Sequence, residues 1–219
     1  MSEGIHPIAS LLAAVARGIT GVQVQWAGCE PDVRQRIYFA NHTSHLDFVV
    51  LWSALPSEIR ARTRPIAAKD YWVETPLRHY LAENVFKAVL VERGSMSRAN
   101  SHEESKFVRR SLIEDMAAAL GDRNSLILFP EGTRGTGEKV GEFRSGLYHL
   151  AVRRPDIELV PAHLENMNRI LPKGEYLPVP MLSLLTFGKT IQVEPHETKH
   201  AFLERAREAV SSLRRIGSA

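Results

Sequence analysis

Cysteine is nearly absent from this chain. Cys29 stands alone, so no intramolecular disulfide and no thiolate metal site can form. That composition fits a reducing compartment and excludes a disulfide-stapled miniature fold. Long apolar runs are missing too. The two longest mostly apolar stretches, Ile8 to Ala16 and Leu177 to Phe187, fall short of the roughly 20 residues that cross a bilayer, so no transmembrane helix is expected. No cationic segment precedes Ile8 and Arg17 follows the apolar run, so no secretory signal is expected either. Charge of one sign is nearly balanced: 28 Lys+Arg against 25 Asp+Glu leaves a formal +3. Such an excess favours an anionic ligand or an anionic lipid surface, and is too small to argue for nucleic acid. There is no fixed-period repeat, no low-complexity tract and no linker long enough to separate two domains. What is present is ordinary for a globular chain. With 44% hydrophobic residues over 219 positions, one large domain can bury on the order of 70% of its unfolded surface.

Strand-like and helix-like segments alternate, which predicts an α/β sheet with helices packed on it. The expected helices are 8–18, about 45–55, 76–83, 101–120, 145–153 and a terminal amphipathic helix over 199–215. Expected strands are 22–26, 37–40, 65–68, 88–91, 126–129, 157–163, 181–186 and 191–193. Three polar clusters follow directly on apolar strands. Ile37-Tyr38-Phe39-Ala40 runs into Asn41-His42, Val89-Leu90-Val91 into Glu92-Arg93, and Leu126-Ile127-Leu128-Phe129 into Pro130-Glu131. In open α/β sheets ligands bind at the carboxyl ends of strands, so parallel strands would bring these clusters to one rim.

The first cluster continues as Asn41-His42-Thr43-Ser44-His45-Leu46-Asp47. Ser44 suits a helix N-cap and Asp47 its third residue, which lets the His42 imidazole fold back toward the Asp47 carboxylate. A carboxylate that fixes the imidazole tautomer makes a general base, and histidine's ordinary pKa of about 6.5 suits work near neutrality. A plain helix cap with a turn histidine is the competing reading of the same spacing. Metal binding is not expected: His42 and His45 are three apart rather than two, and no H-E-x-x-H occurs. The second cluster, Phe129-Pro130-Glu131-Gly132-Thr133-Arg134, can present backbone N–H groups and an arginine to a phosphate, or simply close a strand. It is not a P-loop, because Glu138 stands where the lysine belongs, nor a dinucleotide loop, because Val140 replaces the third glycine. Phe143-Arg144-Ser145-Gly146 adds a basic residue nearby.

Asn-His-x-Ser-x-x-Asp followed roughly 80 residues later by Phe-Pro-Glu-Gly-Thr-Arg resembles the glycerolipid acyltransferase family, the 1-acylglycerol-3-phosphate (lysophosphatidic acid) acyltransferases in particular. The resemblance covers about residues 20–190 and implies one acyltransferase domain over 1–219, with a mixed, largely parallel central sheet flanked by helices. It implies His42 as general base and Asp47 as its orienting carboxylate. It also implies Glu131, Gly132, Thr133 and Arg134 as acceptor-phosphate contacts, with Arg93 as a further one. The glycine that usually precedes this last motif is replaced by Lys87, Gly135 stands where the family often has Ser, and Leu159-Val160-Pro161-Ala162 matches the proline-containing motif. The implied partners are acyl-CoA or acyl carrier protein as donor, lysophosphatidic acid or a related lysolipid as acceptor, and a membrane surface. No cofactor, metal or nucleic acid is implied.

The expected location is cytoplasmic, peripheral on the cytoplasmic face of the membrane. The apolar segment Ile8 to Ala16 and the cationic terminal helix are the candidate anchors. Glycerol 3-phosphate, another lysophospholipid or a lyso-aminolipid are alternative acceptors. A serine hydrolase using Ser44, or a non-catalytic phospholipid-binding module, are the readings from other classes; the absence of a G-x-S-x-G elbow disfavours the first. Candidate walls for an acyl tunnel are Leu51, Trp52, Tyr71 and Trp72.

Overall fold

A computed structural model describes residues 7–92, 102–171, 175 and 177–216. Its centre is a seven-stranded sheet among the described residues, in the order β1-β7-β6-β2-β5-β3-β4. The strands are β1 (Gln23–Trp26), β2 (Arg36–Ala40), β3 (Thr63–Ala68), β4 (Val89–Val91), β5 (Ser125–Leu128), β6 (Glu158–Glu165) and β7 (Leu184–Phe187). β2 is parallel to β5 and β6, and β3 is parallel to β5 and β4. β7 runs antiparallel to β6 and parallel to β1, so this edge pair opposes the other five. The sheet is therefore mixed and largely parallel.

β2 is central because its sequence leaves it no wet face. All five of its residues are buried, as expected for a strand covered on both sides. Tyr38 and Ala40 point into one core, with Ala9 and Ala13 of α1 (Pro7–Thr20) and Phe48 and Leu51 of α2 (Asp47–Ala54). Ile37 and Phe39 point into the other, which contains Met116 of α6 (His102–Leu120), Leu147 of α7 (Gly146–Arg153) and Phe202 of α9 (Lys199–Ile216). Phe39 is wholly buried, and Phe39→Ala would cost about 3–5 kcal/mol. Among the described residues there are four further short α-helices: α3 (Ser57–Ala61), α4 (Lys69–Trp72), α5 (Pro76–Tyr80) and α8 (Met167–Ile170).

Several elements differ from the sequence expectation. The helix expected at 76–83 is α-helical only through Tyr80 and widens into a π-turn over Leu81–Val85. β7 begins at Leu184 rather than at residue 181. The strand expected at 191–193 reduces to a single antiparallel bridge, Leu159↔Ile191. The Ala162↔Phe187 register would place residue 190 opposite Leu159, so one extra residue is looped out over Gly188–Thr190, a bulge that ends the ladder. The apolar face of α9, with Phe202, Ala206, Val210 and Leu213, is buried in the core, so that face is not free to enter a bilayer. No helix among the described residues is long and apolar enough to cross a membrane.

Candidate active site

The parallel arrangement of β2, β3, β4 and β5 puts their carboxyl ends on one rim, where Ala40 leads into His42, Ala68 into Lys69, Val91 into Glu92 and Leu128 into Phe129. Asn41 fixes the first of these turns. Its amide donates to the Leu164 carbonyl at 2.9 Å and accepts from the Leu164 N–H at 2.8 Å. This side chain imitates a strand backbone and joins the end of β2 to β6.

α2 begins at Asp47, with Leu46 as N-cap and no side-chain cap bond. The Ser44 hydroxyl approaches Leu46 N at only 3.4 Å and donates to the Leu171 carbonyl at 3.0 Å. Only the return half of the expected capping box forms: Asp47 reaches back over its own turn. Its buried Oδ2 accepts from the backbone of Thr43 at 2.5 Å and of Ser44 at 2.8 Å, and lies 2.8 Å from His42 Nδ1. A carboxylate that takes two N–H bonds is an acceptor, so Nδ1 carries the hydrogen and Nε2 presents its lone pair. The His42 ring stacks on Phe129 at 4.5 Å between centroids. Its backbone N–H donates to Glu131 Oε1 at 2.7 Å, and its carbonyl accepts from Gly135 N at 2.7 Å. His42 is thus held through its ring, its backbone N–H and its carbonyl. Ser44 is 1% exposed and its hydroxyl is committed to Leu171, an arrangement for a scaffold and not for a nucleophile.

Glu131 is buried, and both of its carboxylate oxygens are spent on backbone: Oε1 on His42 N and Oε2 on Gly141 N at 2.9 Å. Burial pushes its pKa up, while those two bonds and His42 pull it back. Glu131 is a staple between the His42 turn and the glycine loop. Gly141 permits it, since a Cβ there would stand 2.7 Å from Oε2. Gly132 has φ +70, and a Cβ on it would meet Arg144 Nε at 2.7 Å. Position 132 therefore needs glycine for its conformation and for the arginine lying over it.

A cavity of about 370 Å³ opens beside His42. Phe48, Ile66, Trp72, Leu112, Met116 and Leu128 give it apolar walls, and its polar lining includes His42, Glu92, Thr133, Arg144 and Ser145. Tyr71 and Trp72 line it, whereas Leu51 and Trp52 belong to the core. His45 also lines it, stacked on Tyr71 at 4.6 Å, with the Arg78 guanidinium 4.3 Å from the Tyr71 centroid. Thr133 is exposed at the cavity; Arg134 is half-buried and is not among the lining residues. Arg93 lies outside the described residues. Its neighbour Glu92 lines the cavity and accepts from Lys69 at 3.2 Å. Among the described residues no group of three His, Cys, Asp or Glu side chains could hold a metal. Sequence reasoning missed the Asn41 clamp and the staple role of Glu131; Asn41 directly after a buried strand was the available signal.

A family model described as Acyltransferase matches residues 29–165. Two curated relatives, both 1-acyl-sn-glycerol-3-phosphate acyltransferases, are each 27% identical. The one from Limnanthes douglasii aligns over 166 residues, 74% of this chain and 53% of its own length. That from Limnanthes alba aligns over 164 residues, 74% of this chain and 52% of its own. The chain thus spans about half the length of these relatives. The crystal structure of the 1-acyl-sn-glycerophosphate acyltransferase PlsC from Thermotoga maritima superposes with a TM-score of 0.71. At 16% identity it covers 97% of this chain and 80% of the other, and it shares the fold.

Proposed function

Because the chain belongs to the Acyltransferase family, we propose that it transfers a fatty acyl group from an acyl thioester, acyl-CoA or acyl carrier protein, to the sn-2 hydroxyl of 1-acylglycerol 3-phosphate, giving phosphatidic acid. The observation that carries this reading is the 2.8 Å contact between His42 Nδ1 and Asp47 Oδ2, with the same imidazole lining an apolar cavity. His42 Nε2 takes the proton of the acceptor hydroxyl as its oxygen attacks the thioester carbonyl. The carbon–sulfur bond breaks as the tetrahedral intermediate collapses, and the leaving thiolate takes the proton back from His42, restoring the neutral imidazole. Asp47 holds the imidazole in the accepting tautomer and stabilises the imidazolium. No enzyme nucleophile is needed. The apolar walls suit an acyl chain, and Thr133 and Arg134 remain acceptor-side contacts, with Arg93 a third.

Substrates bearing acyl chains require access to a bilayer, and we assign this to α1. Ala9 and Ala13 face the core, while Ile8, Leu11 and Val15 remain exposed at 37%, 64% and 47%. That stripe fits peripheral, interfacial attachment. Purified protein offered a panel of donors and lysolipid acceptors, read by thiol release and lipid mass, tests the reaction. Phosphatidic acid from the wild type and its loss in His42→Ala are expected. Near-normal transfer by His42→Ala would sink the reading. Leu11→Glu with Val15→Glu should abolish co-sedimentation with anionic vesicles; undiminished binding would count against the α1 assignment.

A further inference from the structure

We infer that Arg144, outside both sequence motifs, is the cation that receives the acceptor's phosphate and sets the preference for a phosphorylated acceptor. The inference rests on the proposed reaction and adds to it the residue that selects the head group. In 1-acylglycerol 3-phosphate four bonds separate the sn-2 oxygen from phosphorus, a span of at most about 5 Å. A hydroxyl placed at His42 Nε2 therefore puts its phosphate in the cavity that His42 lines, and the charge that meets it must line that cavity too.

Among the described residues, Arg144 is the arginine that lines the cavity and no lysine lines it. Arg134, the motif arginine, is not there, and Glu131 has both oxygens committed to backbone. The polar partners of Arg144 among the described residues are backbone carbonyls. Its backbone N–H donates to Pro130 O at 2.8 Å, and in the side chain Nε donates to Glu131 O at 3.2 Å. One edge of the guanidinium is thereby anchored, and the Nη groups are left to take two phosphate oxygens in a bidentate contact. Gly132 makes the pose possible, because a side chain there would displace Nε and Cδ. The role of the glycine in the Glu-Gly-Thr-Arg stretch is then to let a second arginine lie across the loop.

The test measures equilibrium binding of 1-acylglycerol 3-phosphate and of 1-monoacylglycerol with the same chain, in a His42→Ala background that halts turnover. Arg144→Gln should weaken the phosphorylated ligand about tenfold or more and leave the monoacylglycerol unchanged. Arg144→Lys should recover part of the loss, having charge without the fork, and Arg134→Gln should cost less than Arg144→Gln. Equal loss for both ligands, no loss for either, or discrimination carried entirely by Arg134 would overturn the assignment. Acyl transfer is assayed separately with His42 intact. Head-group discrimination through Arg144 without any transfer would refute the proposed reaction and leave the assignment standing.

Discussion

Two histidines stand beside carboxylates near the ends of adjacent parallel strands, and they differ in almost every respect that matters for proton transfer. His42 follows β2; His163 lies on β6, one residue past the Ala40↔Ala162 pair. His42 Nδ1 is 2.8 Å from Asp47 Oδ2, and its ring lines a cavity. His163 Nδ1 is 3.9 Å from Glu165 Oε1, and both atoms are buried without a hydrogen-bond partner. Burial pushes His163 down to about 4 and Glu165 up. Alternation along a strand sets Glu165 on the same face as His163, but a rigid strand cannot curl its side chain back. The Asn41–Asp47 turn can, because Asp47 sits in the first turn of a helix that doubles over the loop before it. The doubling back gives His42 a hydrogen-bonded carboxylate beside an open cavity, whereas proximity on one strand leaves His163 and Glu165 buried and unbonded.

The largest expected effect separates the two histidines outright. His42→Ala should lower acyl transfer about 100- to 10,000-fold, ~3–5 kcal/mol, while His163→Leu leaves turnover within about twofold. Equal losses in steady-state kinetics would break the contrast. Next comes acid stability. His163 has a folded pKa below its ordinary value of 6.5, at about 4. The unfolded chain therefore binds the proton more readily, so the stability is present above pH 6.5 and is lost as pH falls toward 4. The loss is on the order of 3 kcal/mol. Urea titrations across that window should show the slope in wild type and a flatter one in His163→Leu.

Asp47→Asn should cost about 100-fold, ~2.7 kcal/mol. An amide oxygen in the place of Oδ2 can still accept from Thr43, Ser44 and His42 Nδ1, but the charge that stabilises the imidazolium is gone, and the NH₂ takes the place of Oδ1, which is buried without a partner. Near-normal rates with an unchanged pH profile would show that the pairing is structural. Asn41→Ala is the smallest, about tenfold in rate. It leaves the Leu164 N–H without its partner, and faster hydrogen exchange at that amide is the accompanying signature.

Much of this site was legible because it is local. His42 and Asp47 are five residues apart, and the strand-end position of each motif followed from short apolar runs. What was hidden depends on distant partners. The staple role of Glu131 needs the backbones of His42 and Gly141, and Arg144 needs the space over Gly132. The reversal of β1 and β7 is set by connections whose direction no periodicity encodes, and the apolar run from Leu177 blurred where β7 begins. Leu182, inside that run, is 65% exposed.

The bond from His42 N to Glu131 spans 89 positions in sequence, and this has a consequence for how the molecule comes into being. The His42–Asp47 contact can form as soon as its own turn does, on the timescale of a nascent helix. The staple must wait until β5 has found β2 across the intervening β3 and β4, a non-local closure of the kind that slows folding. The His42–Asp47 pair is thus assembled early and rigidified late, and nascent chains shorter than about residue 131 carry the pair without the clamp that holds it.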